Sequence, residues 1–502
     1  MKKRIIVTIV AMAMLMCTLV TACGNSSTDS ESKGSGKDWS KADHAVIAYD
    51  EFSGNMLFSD ANGGMTTAPD SINAKNGINV EYILSASADE SSAALITGEI
   101  QGAVYTVNRL AFLWPKFKEA GIDVEVVYIS NYSNGADGII ASSDIKNIHD
   151  LVGKKIGIPR FSEAQTIFEY YVQNSDLTPE EEEELRKGIV FFESPDEAAN
   201  AFVSNKIDAA ATWDPYIGDA ETSQEMNVLF DTSMSNNLCV NALVMRKDFV
   251  EQHEDYIQTL IDGCFEAAPL YTDTSTFDRI RNEMSYLSSC SDDEILVMCE
   301  RTTLANCAEN KKLLSDTGKT IYTVMANIWL SLGETAYPED ADKLFENKFV
   351  SNLLESKYLG EEAGKDYSLS DEEKKYLIEE YDDSIFEYTV EINFEINSAE
   401  LKEESKETLK KFIERAKMAN NLYIVVEGNC SKRKDERIPD SDVIEFTEKR
   451  AQAVKDFFVE NGIESERILI VGNGDSKLRD TENPNSAENR RTDIYFKEKL
   501  GM

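Results

Sequence analysis

The sequence is poor in the residues that metal chemistry needs. Its 502 residues hold three histidines, His44, His149 and His253, scattered far apart, which gives a zinc site little support. Eight cysteines occur, but no Cys-x-x-Cys pair, the spacing that marks zinc and dithiol sites. No Ser-His-Asp order stands out. Gly318-Lys319-Thr320 ends like a phosphate-binding loop, but Leu313 stands where its first glycine is required. These absences favour a non-enzyme without metal or cofactor. Long apolar runs are lacking as well: the stretch Ile5 to Val20 falls short of the roughly 20 residues that span a membrane. Positive charge is also scarce. Lys and Arg number 51 against 91 Asp and Glu, for a formal net charge of −40. That balance disfavours nucleic acid or anionic lipid as a partner and keeps the chain soluble. It does not determine the charge of a buried ligand.

What is present begins at the N-terminus. Lys2, Lys3 and Arg4 precede the apolar stretch, and Thr21-Ala22-Cys23-Gly24 follows it. A basic start, a short apolar run and small residues at its end form a signal peptide, residues 1–22. Val20-Thr21-Ala22-Cys23 resembles the bacterial lipobox, which implies cleavage before Cys23 and lipid on its thiol, a membrane attachment through lipid. Residues 23–43, rich in Ser, Gly, Asn, Asp and Lys, have the composition of a flexible tether. Removal of residues 1–22 takes the charge to −43, since Lys2, Lys3 and Arg4 leave with no acid. It also leaves Cys239, Cys264, Cys290, Cys299, Cys307 and Cys430, an even number that permits disulfides outside the cytosol.

At about 150 residues per domain, the length suits about three globular units. From Ala45 onward, short apolar runs alternate with helical patterns. Val46–Tyr49, Val80–Leu84, Ala103–Tyr105, Val124–Ile129, Lys155–Ile158 and Ala209–Thr212 read as strands, with Ser91–Thr97 and Ala164–Asn174 helical between them. This alternation predicts an α/β fold on mainly parallel sheets over residues 44–359. Thr178-Pro179-Glu180 and the glutamates after it read as a helix start, with proline at the first position and acids facing the dipole. From about Thr272 to Tyr358 the pattern turns helical, and Ile321, Val324, Met325, Ile328 and Trp329 share one face. Residues 360–384 form an acidic linker.

Residues 385–502 form a separate βαβαββ pattern. Tyr388, Val390, Ile392, Phe394 and Ile396 alternate as in a half-buried strand. Leu409, Phe412, Ile413 and Ala416 make a helical stripe, Leu422–Val426 a strand, and Thr447–Asn461 a helix stopped at Gly462. Arg467–Val471 and Thr492–Phe496 complete the set.

Over residues 45–360 a series of stretches follows in one order: Gly63-Gly64-Met65-Thr66-Thr67, Asn76-Gly77-Ile78-Asn79-Val80, Leu95 to Ile100, Gly138-Ile139-Ile140-Ala141, Ile145 to Pro159, and Lys206 to Tyr216. Their order and spacing resemble the nitrate, sulfonate, taurine and pyrimidine-precursor branch of ABC-importer solute-binding proteins. The resemblance implies a bilobal type II periplasmic-binding-protein-like module. Its ligand sits at strand C-terminal ends that face helix N-termini. The ligand-binding candidates it implies are Tyr49, Asp50, Phe52, Ser85, Tyr105, Asp137, Ser162, Trp213 and Asp214. Tyr49 and Trp213 would supply flat walls, and Ser162 serves as a helix cap, a ligand contact or both. Asp50, Asp137 and Asp214 are turn or cap residues, or they fix a donor or cation on the ligand. Two of them in the cleft would disfavour nitrate and point to a heteroaromatic or amine-bearing solute.

The C-terminal stretches Val390 to Phe394, Ser398 to Leu401, Val425 to Gly428, Thr447 to Val454, Gly472-Asn473-Gly474 and Asn489-Arg490-Arg491 resemble the OmpA-like peptidoglycan-binding domain, an α/β sandwich. Arg450 falls where that family's arginine grips a peptide-stem carboxylate, a bidentate task suited to guanidinium. Ser431 stands where the family has the aspartate that pairs the stem's ammonium group, so Asp435, Asp440 or Asp442 is left to restore a carboxylate. Together the two resemblances imply a lipid-anchored, extracytoplasmic solute-binding component of an importer. Its partners would be a small-molecule solute, an ABC permease and peptidoglycan. A sensor that binds a solute and signals through the wall or a membrane partner is one alternative, and an enzyme on a binding-protein fold is the other.

Overall fold

The computed structural model describes residues 37–351, 353, 368–380, 386–390, 392, 394, 398–433 and 437–498. Cys23, the signal segment 1–22, most of the tether and part of the linker lie outside them. Within the tether, Trp39 is 6% exposed. Its indole donates to Asp248 Oδ1 at 3.0 Å and stands edge-on to Phe249 at 5.6 Å, so the packed fold takes in residues ahead of the expected boundary at 44.

The first lobe lays down β1 (Ala45–Tyr49), β2 (Val80–Leu84), β3 (Gly102–Thr106) and β4 (Val124–Ser133). The chain then crosses to a second lobe with β5 (Asp137–Ser142), β6 (Ile156–Pro159), β7 (Ile189–Phe192), β8 (Ala209–Trp213) and β9 (Met226–Asp231). It returns for β10 (Val240–Arg246) and β11 (Thr302–Leu304). The six-stranded sheet has order β11-β4-β10-β3-β1-β2 and the five-stranded sheet β7-β6-β8-β5-β9. One plan occurs twice. The first strand lies between the second and third, all parallel, and next to them comes an antiparallel strand that has just entered from the other lobe. Two lobes built this way and joined by two crossings constitute the type II periplasmic-binding-protein fold.

The six strands read from the sequence are all present, five of them within one residue at each end, while β4 runs four residues past Ile129 to Ser133. The sheets are less parallel than expected, because β10 and β5 run against their neighbours. Local hydropathy cannot report that direction, since all seven residues of β10 and all ten of β4 are buried and neither strand has an exposed face to mark its setting. Gly138 in β5 is required by close approach: a Cβ there would come within 2.4 Å of Phe230 O. The glutamate-rich segment is helix Pro179–Lys187, with a full capping box between Thr178 and Glu181. Gly318 to Thr320 lie inside helix Asp316–Ser331, whose buried face carries Ile321, Met325, Ile328 and Trp329, while Val324 is only half-buried. Cys239, Cys264, Cys290, Cys299 and Cys430 are free thiols.

The C-terminal unit follows the expected βαβαββ order: β12 (Phe386–Val390), helix Glu403–Met418, β13 (Tyr423–Asn429), helix Asp440–Glu460, β14 (Ile468–Gly474) and β15 (Thr492–Lys497). The sheet order is β12-β15-β13-β14. The second helix starts at Asp440 rather than Thr447, with Pro439 as N-cap and Asp440 and Asp442 in the first turn, where acids favour the positive dipole end. Gly462 follows that helix with φ +91°, a stop that suits glycine. Arg467, 1% exposed, donates to the carbonyls of Ala416, Ala419 and Leu422 and so completes the end of the first helix. Upstream, the linker contains helix Asp371–Lys375, and Leu377 O accepts from Lys497 Nζ at 2.7 Å.

Candidate functional site

A cavity of about 290 Å³ opens between the lobes, and four helix N-termini meet at it, two from each lobe. Helices Ala88–Thr97 and Val107–Ala120 follow β2 and β3, and helices Glu163–Gln173 and Pro195–Val203 follow β6 and β7. Their N-caps Ser87, Thr106, Ser162 and Ser194 all line the cavity. Each cap oxygen accepts from the amide three residues on, at 3.2, 3.1, 3.2 and 3.2 Å. The remaining first-turn amides and the positive dipole ends make such a meeting point attractive to anionic oxygen.

Arg109, in the first turn of Val107–Ala120, lines the same cavity. Its side chain is 13% exposed, Nη2 lies 3.8 Å from Asp89 Oδ2, and Nε has no hydrogen-bond partner among the described residues. Burial holds its pKa below the usual arginine value, opposed by Glu163, Asp89 and Tyr105. An underused, partly desolvated guanidinium is suited to an oxyanion. Arg160 stands nearby with its guanidinium 4.5 Å above the Phe191 ring, followed by Phe161 in a left-handed conformation at φ 57°. The acids Asp50, Glu163, Glu193 and Asp196 share the lining.

A second cavity of about 280 Å³ adjoins the first, and Trp213 and Asp196 line both. Its walls are Phe52, Tyr216, Tyr286, Met298 and Cys290, with Glu51 and Asp214. Both carboxylates are engaged. Glu51 Oε2 accepts from Ser285 Oγ at 2.7 Å and from the Tyr286 amide at 3.2 Å. Asp214 pairs with Arg301 at 2.8 Å. The space is therefore aromatic in character, without a free cation in its lining.

Eight of the nine cleft residues read from the sequence border these two cavities. Tyr49 does so mainly from the core, its hydroxyl donating to Met65 Sδ at 3.2 Å and its ring against Phe58 and Tyr82. Asp50 is exposed in the cleft. Desolvation within the cleft and then Glu163 push its carboxyl up to about 6, while Asn55 donates to Oδ1 at 2.7 Å. Ser85 Oγ is spent on Ser87 O at 2.8 Å, and Tyr105 donates to Ser91 Oγ at 3.1 Å. Ser162 is a cap that also donates to Pro159 O at 2.7 Å. Trp213 Nε1 reaches Asp196 Oδ1 at 3.4 Å, and Phe52 lines the second cavity.

Asp137 lines neither. It is 2% exposed, and desolvation raises its carboxyl to about 7, with Glu163 and Asp214 adding to the shift. It stands at the start of β5 against the second crossing, where the Thr232 amide donates to its carbonyl at 2.9 Å. Asp214 is also less available than its position suggested, because Arg301 occupies it. Arg109 and the caps Ser87, Thr106 and Ser194 were missed. Ser87-x-x-Glu90 and Ser194-x-x-Glu197 are legible cap patterns, but their convergence is not. Among the described residues no group of three or more His, Cys, Asp or Glu could hold a metal ion, and no helix is long and apolar enough to cross a membrane.

In the C-terminal unit Arg450 lies between the rings of Phe394 and Phe446, at 4.7 and 4.5 Å, and Nε donates to Ser398 O at 3.2 Å. Burial lowers its pKa, with Arg490 adding to that effect. The acids thought able to replace the family aspartate beside Ser431 are otherwise placed. Asp440 pairs with Arg433, Asp442 accepts from Ser441 Oγ at 3.1 Å, and Asp435 lies outside the described residues. A different acid, Asp475, faces Cys430, held by Arg433 through two 3.0 Å contacts.

Comparison with known proteins follows this division. Residues 74–269 match the family described as NMT1/THI5 like, and residues 393–492 the OmpA family. A Bacillus subtilis (strain 168) protein described as a putative aliphatic sulfonates-binding protein is 24% identical over 173 residues, covering 32% of this chain. The chain spans 50% of the length of that curated relative. Among solved structures, the periplasmic aliphatic sulphonate binding protein of Escherichia coli is 16% identical, covers 62% of this chain and 99% of its own, and has a TM-score of 0.49. The periplasmic nitrate-binding protein of Synechocystis PCC 6803 is 13% identical with coverages of 62% and 87% and a TM-score of 0.45. An OmpA-like domain from Francisella tularensis is 25% identical, covers 22% of this chain and 75% of its own, and has a TM-score of 0.21.

The fold and the cleft thus define a two-lobed α/β binding module. The chain joins an NMT1/THI5-like domain, with a sulfonate-binding protein among its homologues, to a C-terminal OmpA family domain. That pairing fits a solute-binding protein fused to an OmpA-like domain.

Proposed function

We propose that the protein captures a small organic oxyanion between its lobes and delivers it to an ABC permease, outside the cytoplasm. The observation that carries this reading is the convergence of four helix N-termini and the underused Arg109 guanidinium on one interlobe cavity. An oxyanion head would take first-turn amides and Arg109, and its carbon skeleton would lie along Trp213 toward Phe52 and Tyr286. The aromatic second cavity argues for an organic solute over nitrate. The Bacillus relative's description as a sulfonates-binding protein points to the same head group. Lipid attachment at Cys23 would hold the module at the membrane face, and the C-terminal domain would contact peptidoglycan through Arg450.

The test is a thermal-shift screen of the purified protein against alkane and aryl sulfonates, carboxylates, nitrate, heteroaromatics and amines. At a hundredfold excess over Kd, a true ligand adds about 2.7 kcal/mol of stability. Stabilisation by an organic oxyanion is expected, and a screen in which no compound stabilises the protein would sink the proposal.

A further inference from the structure

Lobe closure requires backbone change at the crossings between the lobes. The second crossing, residues 232–239 between β9 and β10, is covered by the C-terminal domain. Thr232, Ser235, Asn236, Asn237, Leu238 and Cys239 are each at most 2% exposed. The Asn237 amide donates to Met418 O at 2.9 Å, and its Nδ2 to Lys417 O at 2.6 Å. Asn421 donates from Nδ2 to Ser233 O and accepts on Oδ1 from the Asn236 amide at 3.5 Å. The partners from the C-terminal domain are the last turn of helix Glu403–Met418 and the residues just after it. Carbonyls there lack intrahelical donors, so the crossing's own N–H groups complete the helix end.

The same helix reaches both lobes. Arg415 Nε donates to Asn174 Oδ1 at 2.6 Å, just past helix Glu163–Gln173 of the second lobe. On the first-lobe side, the helix packs on Asp316–Ser331, and Glu464 of its domain pairs with Lys312 at 2.8 Å. One rigid element therefore touches the hinge and both bodies that the hinge connects.

We infer that the docked C-terminal domain is a clamp on the second crossing, so that a change in lobe angle and release of this domain are coupled. The inference rests on the proposed reading only in that the cleft closes on a solute. Coupling of this kind is reciprocal: whatever loosens the docked domain changes solute affinity, and solute changes docking by the same factor.

The test compares the full chain with its Arg415→Ala/Asn421→Ala double variant by hydrogen–deuterium exchange, with solution scattering to read docking. Neither residue lines the cleft. The expected result is at least tenfold faster exchange in 232–239, with β13 and β10 unchanged as controls for folding. Unchanged exchange in 232–239 overturns the inference in either case. If scattering shows the domains parted, the crossing needs no clamp; if they stay together, these bonds do not form it. If β13 or β10 also loses protection, the single variants Asn421→Ala and Arg415→Ala decide by the same criterion. Titration of hexane-1-sulfonate against both forms then reads the coupling. A change in its Kd of about fivefold or more is expected, and equal Kd values overturn the coupling. Failure of the unsubstituted chain to bind this probe counts against the solute reading, and the exchange result still decides the clamp.

Discussion

Arg301 Nη1 lies 2.8 Å from Asp214 Oδ1, and this ion pair spans the two lobes. Arg301 directly precedes β11, which belongs to the first lobe's sheet, whereas Asp214 follows β8 of the second. The side chains are 15% and 9% exposed, and Glu221 takes the other end of the guanidinium. Removal of one partner leaves a nearly buried charge uncompensated. Arg301→Ala should therefore lose about 3 kcal/mol in chemical denaturation. The Arg301→Met/Asp214→Leu pair should recover much of that loss; no recovery would mean that the ion pair itself does not account for it.

Arg109 is expected to dominate the electrostatics of solute capture. Arg109→Gln keeps a donor but removes the charge, and should weaken binding of the stabilising oxyanion by tenfold or more, since charge-assisted hydrogen bonds are worth about 1.5–3 kcal/mol. Isothermal titration reads this directly, and an unchanged Kd would remove Arg109 from the site.

Trp213 borders both cavities, so its loss should depend on ligand length. Trp213→Ala should weaken a sulfonate with a six-carbon chain clearly more than methanesulfonate, because only the longer solute reaches the aromatic side. Equal losses for the two would place the tail elsewhere.

Asp137 makes stability depend on pH. Its carboxyl, raised by burial from 3.8 to about 7, keeps its proton in the folded state where the unfolded chain has released it. Wild-type stability therefore falls from this source as pH rises from about 4 to about 7, and the loss is complete above that range. Asp137→Asn removes the effect. Relative to wild type, the variant should gain roughly 2 kcal/mol more at pH 8 than at pH 5, as read by denaturant titration at both values. A gain independent of pH would contradict the raised pKa.

Arg450, set between Phe394 and Phe446, is expected to be the anion-binding group of the C-terminal domain. Arg450→Ala in the full chain should abolish co-sedimentation with purified peptidoglycan, while Ser431→Ala should change it little, since Ser431 supplies no charge. Persistence of binding in Arg450→Ala would assign the contact to other residues.

Much of the cavity lining could be read from order along the chain. Ser85, Tyr105, Ser162 and Trp213 were legible because strand ends followed by helix starts are local patterns, and in a parallel α/β lobe those ends collect on one edge. Arg109 was not legible, because its significance depends on which neighbours leave Nε unpaired, and those neighbours come from elsewhere in the chain. The same holds for Asp137 and Asp214. Both are turn-position aspartates in the sequence, yet the crossing buries one and Arg301, 87 residues away in sequence, pairs with the other.

The sequence by itself determined the alternation of strand and helix, the cap at Ser162, and the break between the two domain types, since these follow from side-chain periodicity and local hydrogen bonding. Tertiary structure alone decided that β5 and β10 run antiparallel, that Asp137 is buried away from the cleft lining, and that helix Glu403–Met418 ends on the second crossing. Each of these depends on contacts between segments distant in sequence, where burial and the pairing of orphan N–H and C=O groups decide the outcome and leave no local pattern in the chain.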